Sequence, residues 1–435
     1  MSMTEADSIL IIGAGQSGAV AAATLRDLGH AGPITLIGRE AHAPYERPPL
    51  SKAVLQSAEA HAQTAVHPGD FYEQRRITLL TGAEALRLDP AQHLVHLSDG
   101  RRLEYGRCLL ATGGRARELP SLPRGTAGVH YIRTLDDAAA LRAGLTPQAR
   151  VVVIGGGFLG LEVASTARSL GADVTVLESA PRLLERVLPA ALSDWLADRV
   201  RHAGVTLRLD ARIANCRAQP HPDAAVRHHA RFTLELQDAT VIEADVVVVA
   251  IGLAPEVSLA EQAGLALDAV NGGIVVDANC RSSDAAIYAA GDCASQHRRY
   301  LNTALRLESW QNANEQARAA AAGMLGLPTP GEPYPWFWTD QFGCNVQMLG
   351  LPQPGLAYTC RGVPLSQADA PKFIWLGHRD GIPVHAIAIN AGGDLRQLRV
   401  LFEQGLRIDP QRYADETVAL KPLVKACQQS AAAAS

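Results

Sequence analysis

The first apolar run of the chain, Ile9–Ile12, does not alternate with polar residues and so predicts a strand buried on both faces. Three glycines follow it at the G-x-G-x-x-G spacing, namely Gly13, Gly15 and Gly18. Such glycines allow a tight turn, close approach of the backbone to a pyrophosphate, and packing of the next helix on the sheet. An alanine-rich helical segment and a second apolar run, Ile34–Ile37, complete a unit typical of a dinucleotide-binding βαβ fold.

A second copy of this pattern begins at Val151–Ile154. Gly155, Gly157 and Gly160 repeat the spacing, and the next apolar run, Val174–Leu177, ends at a carboxylate, Glu178. An acidic residue at this position accepts hydrogen bonds from a nucleotide ribose and repels a 2′-phosphate, so it predicts NADH rather than NADPH. Two dinucleotide units in one chain indicate a flavoenzyme with one bound flavin nucleotide and one exchangeable nicotinamide.

From about residue 323 the pattern changes to short alternating strands, at Asn345–Leu349, Lys372–Leu376 and His385–Ile389. The fold class expected is therefore α/β, with two Rossmann-like dinucleotide-binding domains and a small α+β C-terminal domain. Residues 428–435 are expected to be a disordered tail. The predicted domains are 1–110 and 242–322 for the flavin, 111–241 for the nicotinamide, and 323–435 for the C-terminal domain.

Composition narrows the function classes. The 435 residues exceed a single core, and the hydrophobic share of 47% and charged share of 19% are those of a globular protein. A net charge of −4 without basic runs argues against nucleic-acid binding. The chain has no apolar run long enough for a membrane span, and MSMTEADS lacks the layout of a signal peptide, so the cytoplasm is expected.

Cysteine and histidine positions bear on metal and thiol chemistry. The cysteines number seven and form no C-x-x-C, which argues against a disulfide framework or a zinc cluster. The histidines of AQPHPDAAVRHHA (218–230), which are His221, His228 and His229, fit no usual ligand spacing. This segment is interpreted as a polar hairpin loop, and no metal is expected.

Beyond the glycine fingerprints, the loop YERPPLSK (45–52) resembles a distinctive segment of the FAD-dependent, NADH-using ferredoxin reductases of bacterial oxygenase systems. That family includes the reductase components of Rieske dioxygenases, putidaredoxin reductase and rubredoxin reductases. Its other matching segments are RCLLATGGRARELP (107–120), YIRTLDDA (131–138), DVVVVAIGLAPE (245–256), IYAAGDCA (287–294), ESWQNANEQARAAA (308–321) and PYPWFWTDQFGCNVQMLG (333–350).

The resemblance implies a glutathione-reductase-like architecture and electron transfer from NADH through FAD to a small [2Fe–2S] ferredoxin. The first expectation for the oxygenase is a Rieske ring-hydroxylating dioxygenase, and the alternatives are a cytochrome P450 or an alkane hydroxylase. A non-catalytic NADH-binding signalling flavoprotein is a remote alternative. A thiol-based reductase would need a redox cysteine, and the loop 42–45 has none.

The residues themselves suggest several flavin contacts. Asp292 follows the apolar strand Ile287–Ala290, where a carboxylate can hydrogen-bond a buried polyol chain. Ser309 is a candidate cap for the helix 309–322, whose positive end would face the flavin. Trp310 is interpreted as ring-adjacent or as core. The FAD contacts implied are Gly13, Gly15, Ser17, Gly18, Arg39, Glu40, Arg47, Lys52, Ala85, Arg133, Asp292 and Trp310, with Arg39 and Glu40 both open for the ribose.

For the chemistry, related flavoenzymes pair a lysine and a glutamate beside flavin N5, and the resemblance assigns Lys52 and Glu162 as noncovalent catalytic residues. The alternative for Glu162 is a charge at a helix N-terminus. The NADH contacts expected are Gly155, Gly157, Leu159, Gly160, Glu162, Glu178 and Gly252. A partner-facing surface is expected from Arg298, Arg299, Arg306, Arg318, Trp336 and Trp338, the two tryptophans being alternatively domain core.

Overall fold

The computed structural model describes residues 7–220, 230–365 and 367–434. The three histidines of the predicted hairpin loop, His221, His228 and His229, lie outside these ranges. The chain divides into two compact units. Unit 1 consists of Met1–Pro49, Glu59–Ala116 and Leu253–Glu332, and unit 2 of Leu50–Ala58, Arg117–Gly252 and Pro333–Ser435. The domain boundaries drawn from the sequence stay a prediction.

Unit 1 is built on a five-stranded parallel sheet with the first apolar run at its centre. All four residues of Ile9–Ile12 are buried, as predicted for a strand covered on both faces. The strand order is Ile287–Ala289, Arg107–Leu110, Ile9–Ile12, Ile34–Ile37 and Ile77–Leu80. The helices Gln16–Asp27 and Trp310–Met324 contribute Ala21, Ala22, Ala317 and Ala320 to one core with the sheet.

Smaller elements complete unit 1. Antiparallel sheets are formed by Ala85–Asp89, Leu94–Leu97 and Arg102–Glu104, and by Gly114–Ala116 with Leu253–Pro255. A further three-stranded sheet contains Ile274–Val276, Ala294–Arg298 and Thr303–Leu305. The short helices are Glu59–Gln63, Phe71–Gln74 and Ser258–Gln262.

Unit 2 repeats the parallel arrangement around the second apolar run. Its sheet has the order Thr206–Arg208, Asp173–Leu177, Arg150–Ile154, Val246–Val249 and Val129–His130. Its helices are Ala53–Gln56, Leu135–Gly144, Phe158–Ser169 and Ala190–His202. An antiparallel sheet of Ile213–Pro220, Ala230–Leu236 and Val241–Ala244 is inserted in the chain between the parallel strands Thr206–Arg208 and Val246–Val249.

The C-terminal part of unit 2 is a five-stranded antiparallel sheet packed against helices, in agreement with the predicted α+β domain. The strand order is Trp336–Gln341, Cys344–Gly350, Ile382–Ile389, Phe373–Arg379 and Ala357–Gly362. The helices are Gly392–Glu403, Pro410–Ala414 and Leu420–Ala434. The prediction of a disordered tail is wrong for 428–434, because alanine, the strongest helix former, continues a helix anchored by the buried Leu423 and Val424.

A buried histidine in this sheet makes stability depend on pH. His385 is 1% exposed, its Nδ1 lies 2.9 Å from the Tyr358 hydroxyl, and burial lowers its pKa to about 4. The unfolded chain, with a histidine pKa of about 6.5, takes up a proton first as pH falls, so stability is present above about pH 6.5 and is lost towards pH 4. We expect this residue to account for about 3 kcal/mol of that loss, from a difference of 2.5 pKa units.

The measurement is the denaturant midpoint of wild type and His385→Gln between pH 7 and pH 4.5. The variant should lose stability at pH 7 and show a shallower fall on acidification. Parallel pH profiles would show that His385 is not the group responsible.

Candidate functional site

The first glycine turn has the geometry of a dinucleotide cradle. Gly13 has φ +114°, and a Cβ there would lie 2.1 Å from the Ala111 carbonyl oxygen. A Cβ on Gly18 would lie 2.0 Å from the Gly13 carbonyl oxygen, so this glycine lets the helix Gln16–Asp27 pack on the turn. At Gly15, in contrast, no atom of the described residues comes within 4 Å of a Cβ position. The turn is therefore closed on the protein side and open where a pyrophosphate would approach.

Beside this turn, the end of the strand Ile34–Ile37 leads to a fixed carboxylate. Glu40 accepts a hydrogen bond from the Tyr45 hydroxyl and lies 2.8 Å from Arg47 Nη2. The Arg47 guanidinium also stands over the Tyr45 ring, 5.2 Å from its centroid. Arg39 differs, since its side chain is 63% exposed and lies 3.4 Å from Glu84. Glu40 is thus held in the loop while Arg39 extends outward, and Ala85 is half-buried at the start of its strand.

The strand Ile287–Ala289 brings Asp292 to the same edge of the sheet, because parallel strands end together. Gly291 between them has φ +83°, and a Cβ there would lie 2.4 Å from Ser17 Oγ. Ser17 donates to the Ala313 carbonyl at 3.0 Å, which joins the first glycine helix to the helix Trp310–Met324. Asp292 itself is half-buried.

Ser309 caps the helix Trp310–Met324, as predicted, by accepting a hydrogen bond from the Asn312 amide at 3.2 Å. Trp310 is 36% exposed, and its indole donates to Glu46 Oε1 at 3.1 Å. The carboxyl edge of the unit 1 sheet therefore collects a glycine turn, a carboxylate and a capped helix. These residues fit an FAD. Its pyrophosphate needs an open turn of backbone amides, its ribityl chain needs a hydrogen-bond acceptor, and its ring needs a polar edge.

The second glycine turn, in unit 2, repeats the first in detail. Gly155 has φ +109°, and its Cβ would lie 2.4 Å from the Ala250 carbonyl oxygen, while a Cβ on Gly160 would lie 2.0 Å from the Gly155 carbonyl oxygen. Around the Cβ position of Gly157, no described atom lies within 4 Å. Leu159 is half-buried in the first turn of the helix Phe158–Ser169. Gly252, exposed and with φ +103°, follows the neighbouring strand Val246–Val249.

Glu178 is held over this turn by backbone amides. Its Oε2 accepts from the Gly156 amide at 2.7 Å, and its Oε1 accepts from the Ala180 amide at 2.8 Å. The carboxylate therefore stands at the end of the second strand beside the open glycine turn. This geometry fits a nicotinamide dinucleotide whose ribose hydroxyls donate to the carboxylate.

Lys52 and Glu162, which the family resemblance predicts to pair, are in contact in unit 2. Lys52 Nζ lies 2.8 Å from Glu162 Oε2, and Glu162 is 7% exposed. The sequence reasoning missed two further contacts: Ser51 Oγ donates to the same carboxylate oxygen, and Thr339 Oγ1 donates to Oε1 at 2.7 Å. Ser51 stands next to Lys52 in the distinctive loop, which is a usable signal, but nothing in the spacing connects Thr339 to Glu162.

Arg133 is half-buried and its amide donates to Asp137, which forms a capping box with Thr134 for the helix Leu135–Gly144. Its structural position is thus fixed by the helix start. The flavin and nicotinamide roles given to all these residues stay predictions.

The candidate partner-facing arginines differ in exposure. Arg299 has an 83% exposed side chain, and Arg318 is exposed on the helix Trp310–Met324. Arg306 is only 10% exposed and lies 2.6 Å from Glu308. Arg298 is buried, with 7% of its side chain exposed, and its guanidinium bonds Asn312 and approaches Glu332. Of these four arginines, Arg299 and Arg318 are the two with exposed side chains, and their partner-facing role stays a prediction.

Trp336 and Trp338 stack on one another in unit 2, with ring centroids 5.0 Å apart and planes inclined by 21°. Both are half-buried, and the Trp336 indole donates to Gln347 at 3.1 Å. The pair is therefore held as an aromatic surface of the strand Trp336–Gln341 and is not sealed in the core.

The thiols are not arranged for redox chemistry. All seven cysteines belong to the described residues and are free, and burial raises the pKa of every one, that of Cys280 to about 12. Cys293, next to Asp292, is fully buried and donates to the Ala290 carbonyl at 3.4 Å. A reactive thiol requires a lowered pKa and access to solvent, and none of these cysteines has the lowered pKa.

Within residues 7–220, 230–365 and 367–434, no three His, Cys, Asp or Glu side chains cluster as metal ligands. Over the same residues, no helix combines the length and the apolar character needed to cross a membrane.

Two family models match the chain. Residues 7–317 match the pyridine nucleotide-disulphide oxidoreductase model, and residues 336–424 match the reductase C-terminal model. A ferredoxin–NAD(+) reductase component of the 3-phenylpropionate/cinnamic acid dioxygenase from Photorhabdus laumondii is 39% identical over 91% of this chain and 96% of its own. A reductase component of the anthranilate 1,2-dioxygenase system from Burkholderia cepacia is 39% identical over 96% of this chain and 99% of its own.

Solved structures agree with these relatives. A chain of the covalent putidaredoxin reductase–putidaredoxin complex matches with a TM-score of 0.89 and 35% identity, over 97% of this chain and 99% of its own. The ferredoxin reductase for the CYP199A2 system from Rhodopseudomonas palustris matches with a TM-score of 0.87 and 35% identity, over 96% of this chain and 99% of its own.

Proposed function

The chain belongs to the pyridine nucleotide-disulphide oxidoreductase family, among its FAD- and NAD(H)-using ferredoxin reductases, and we propose that it passes electrons from NADH to a small [2Fe–2S] ferredoxin that feeds an oxygenase. The observation that carries the proposal is the pair of glycine turns, each closed against protein and open at its middle glycine. An enzyme with two dinucleotide turns and only free cysteines of raised pKa matches a ferredoxin reductase better than a disulfide reductase.

When bound, FAD would supply the chemistry that links NADH, a two-electron donor, to a one-electron acceptor. The chain's own residues bind and orient the two nucleotides. Asp292 and Glu40 offer acceptors to the FAD hydroxyls, and Glu178 offers one to the NADH ribose. Lys52 keeps a fixed ammonium through its ion pair with Glu162.

The oxygenase is proposed to be a Rieske ring-hydroxylating dioxygenase in the breakdown of an aromatic compound, as the names of the two 39% identical relatives suggest. A second candidate, a ferredoxin feeding a cytochrome P450 or alkane hydroxylase, is favoured by the 35% identity to the putidaredoxin and CYP199A2 reductases. The proposed location is the cytoplasm, where NADH and such ferredoxins meet.

The test is NADH-driven cytochrome c reduction by the purified flavoprotein with a panel of [2Fe–2S] ferredoxins. Quinones and disulfides serve as alternative acceptors, and omission of ferredoxin is the control. We expect at least one ferredoxin to raise turnover well above that with quinone or disulfide. Faster turnover with a disulfide or quinone than with every ferredoxin would overturn the proposal.

A charge-removing substitution of Glu178 should shift nucleotide preference. Glu178→Gln keeps an acceptor oxygen beside Gly156 but loses the negative charge that bonds ribose hydroxyls and repels a 2′-phosphate. We expect the ratio of kcat/KM for NADH over NADPH to fall by about 10- to 100-fold, the value of a charge-assisted hydrogen bond. The matched control is Glu185→Gln, an exposed carboxylate paired with Arg182. A ratio unchanged in both variants would remove Glu178 from the ribose site.

Charge reversal at Arg318 should slow delivery of electrons to ferredoxin. Ferredoxins of this kind are acidic, so an exposed arginine on unit 1 accelerates their encounter, and salt screens this effect over about 10 Å at 0.1 M. We expect Arg318→Glu to slow ferredoxin reduction several-fold at low salt while NADH reduces the flavin normally. Arg102→Glu, at an exposed strand of the same unit, is the control. Equal salt profiles for both variants would place the docking face elsewhere.

A further inference from the structure

Glu162 is a buried carboxylate with three donors of different origin. Its two oxygens receive an ammonium from Lys52 at 2.8 Å and hydroxyl groups from Ser51 and from Thr339, the latter at 2.7 Å. The two hydroxyl-bearing residues are themselves buried, at 2% and 0% exposure, respectively. A hydroxyl that donates to a carboxylate favours its charged form, and burial makes the loss of such a donor costly.

The hydroxyls are fixed by the backbone around them. Ser51 lies in the loop that carries Lys52, and its carbonyl accepts from Thr166 Oγ1 at 2.8 Å, one turn beyond Glu162 on the same helix. Thr339 lies within the strand Trp336–Gln341, paired with Val346 of the adjacent strand. The backbones that carry the two hydroxyls are therefore held in place beside Glu162.

Thr339 also connects two segments that are matched by different family models. Glu162 belongs to the region 7–317, whereas Thr339 belongs to the reductase C-terminal region 336–424. Side chains alternate along a strand, so Thr339 faces away from its neighbours Trp338 and Asp340. The C-terminal region thereby donates one hydrogen bond directly to the carboxylate that holds Lys52.

We propose that Thr339 and Ser51 are positioning residues that hold the Glu162 carboxylate aligned on Lys52, so that the C-terminal domain sets the geometry of the Lys52–Glu162 pair. The role of the Lys52–Glu162 pair beside a flavin rests on the proposed function, whereas the contacts of the pair do not. Lys52 is the cationic group at Glu162. The nearest carboxylate in sequence to Thr339, Asp340, is exposed and accepts from Asn345 at 2.7 Å, so it is occupied elsewhere.

The chain offers a direct reporter, because it contains only four lysines, Lys52, Lys372, Lys421 and Lys425. In holoenzyme labelled with ¹³C-lysine, the Lys52 side-chain signal is assigned from its absence in Lys52→Met. Its chemical shift is compared among the variants at one pH, since the position of the Glu162 carboxylate 2.8 Å from Lys52 Nζ perturbs it. Thr339→Val removes the hydroxyl at nearly constant volume, and Thr339→Ser keeps it as the matched control.

We expect the Lys52 signal to move away from its wild-type position in Thr339→Val, which loses one charge-assisted hydrogen bond to Glu162, and to stay at the wild-type position in Thr339→Ser. The rate of flavin reduction by NADH should fall on the order of 10-fold in Thr339→Val and stay unchanged in Thr339→Ser. If Thr339→Val does not fold, Ser51→Ala provides the same test with the same expected direction.

An unmoved Lys52 signal in folded Thr339→Val, or in Ser51→Ala, would overturn the positioning role. An equal change in Thr339→Ser would also overturn it, because packing and not the hydroxyl would then be responsible. The readout does not involve ferredoxin. Should every ferredoxin fail as acceptor while the Lys52 signal still moves, the proposed function falls and the positioning role stands.

Discussion

Alanine in place of Gly157 should weaken NADH binding by on the order of 10- to 100-fold while the chain folds normally. The backbone there has φ −79° and ψ −178°, which any residue adopts, and no described atom lies within 4 Å of the added Cβ. We therefore expect the added methyl group to leave the stability of the fold unchanged. It occupies the space through which a pyrophosphate reaches the amides of the turn, and that clash appears only when the nucleotide binds.

The measurement is the Kd of NADH, or its KM in flavin reduction, together with Tm. Gly69→Ala is the matched control, since its Cβ position also has no described neighbour within 4 Å but lies outside both glycine turns. Gly160→Ala gives the contrasting outcome, because its Cβ would lie 2.0 Å from the Gly155 carbonyl oxygen and should lower Tm as well. Normal NADH affinity in Gly157→Ala would exclude this turn as the nucleotide site.

The two glycine turns show what a sequence predicts well. Each depends on a buried strand and a few neighbouring residues, so the spacing of Gly155, Gly157 and Gly160 already contains the closed and open positions that the structure displays. The same holds for the Ser309 cap, whose partner amide is three residues away. Interactions between residues close in sequence determine these features, so a short sequence pattern is enough to predict them.

Other features depend on partners that folding brings from far along the chain. Thr339 bonds Glu162 across 177 residues, and only the pairing of the C-terminal strands places it there. Arg298 is predicted from its residue type to be a surface charge, yet it is buried inside unit 1, where its guanidinium bonds Asn312 and approaches Glu332. The prediction of a disordered tail is wrong for another reason. A run of alanines contributes little to a core, but it continues a helix that residues before it anchor.

Replacing Lys52 by methionine should have the second large effect. The substitution removes the ammonium that lies 2.8 Å from a carboxylate only 7% exposed, and it leaves Glu162 with the Ser51 and Thr339 hydroxyls. Breaking a buried ion pair leaves an unpaired buried charge, so we expect the free energy of unfolding to fall by about 3 kcal/mol. This is the lower end of the range for buried pairs, because the Lys52 side chain is 22% exposed.

The variant should retain FAD, because the glycine turn, Glu40 and Asp292 of unit 1 are untouched. NADH should reduce the flavin on the order of 100-fold more slowly, because the substitution removes one fixed charge from a reacting centre. Stopped-flow absorbance at saturating NADH measures this step without ferredoxin. Lys372→Met is the matched control, since that lysine also pairs with a carboxylate, Asp394 at 3.3 Å, but is 65% exposed. Equal reduction rates in the two variants would leave Lys52 a structural residue and separate the Lys52–Glu162 pair from the chemistry.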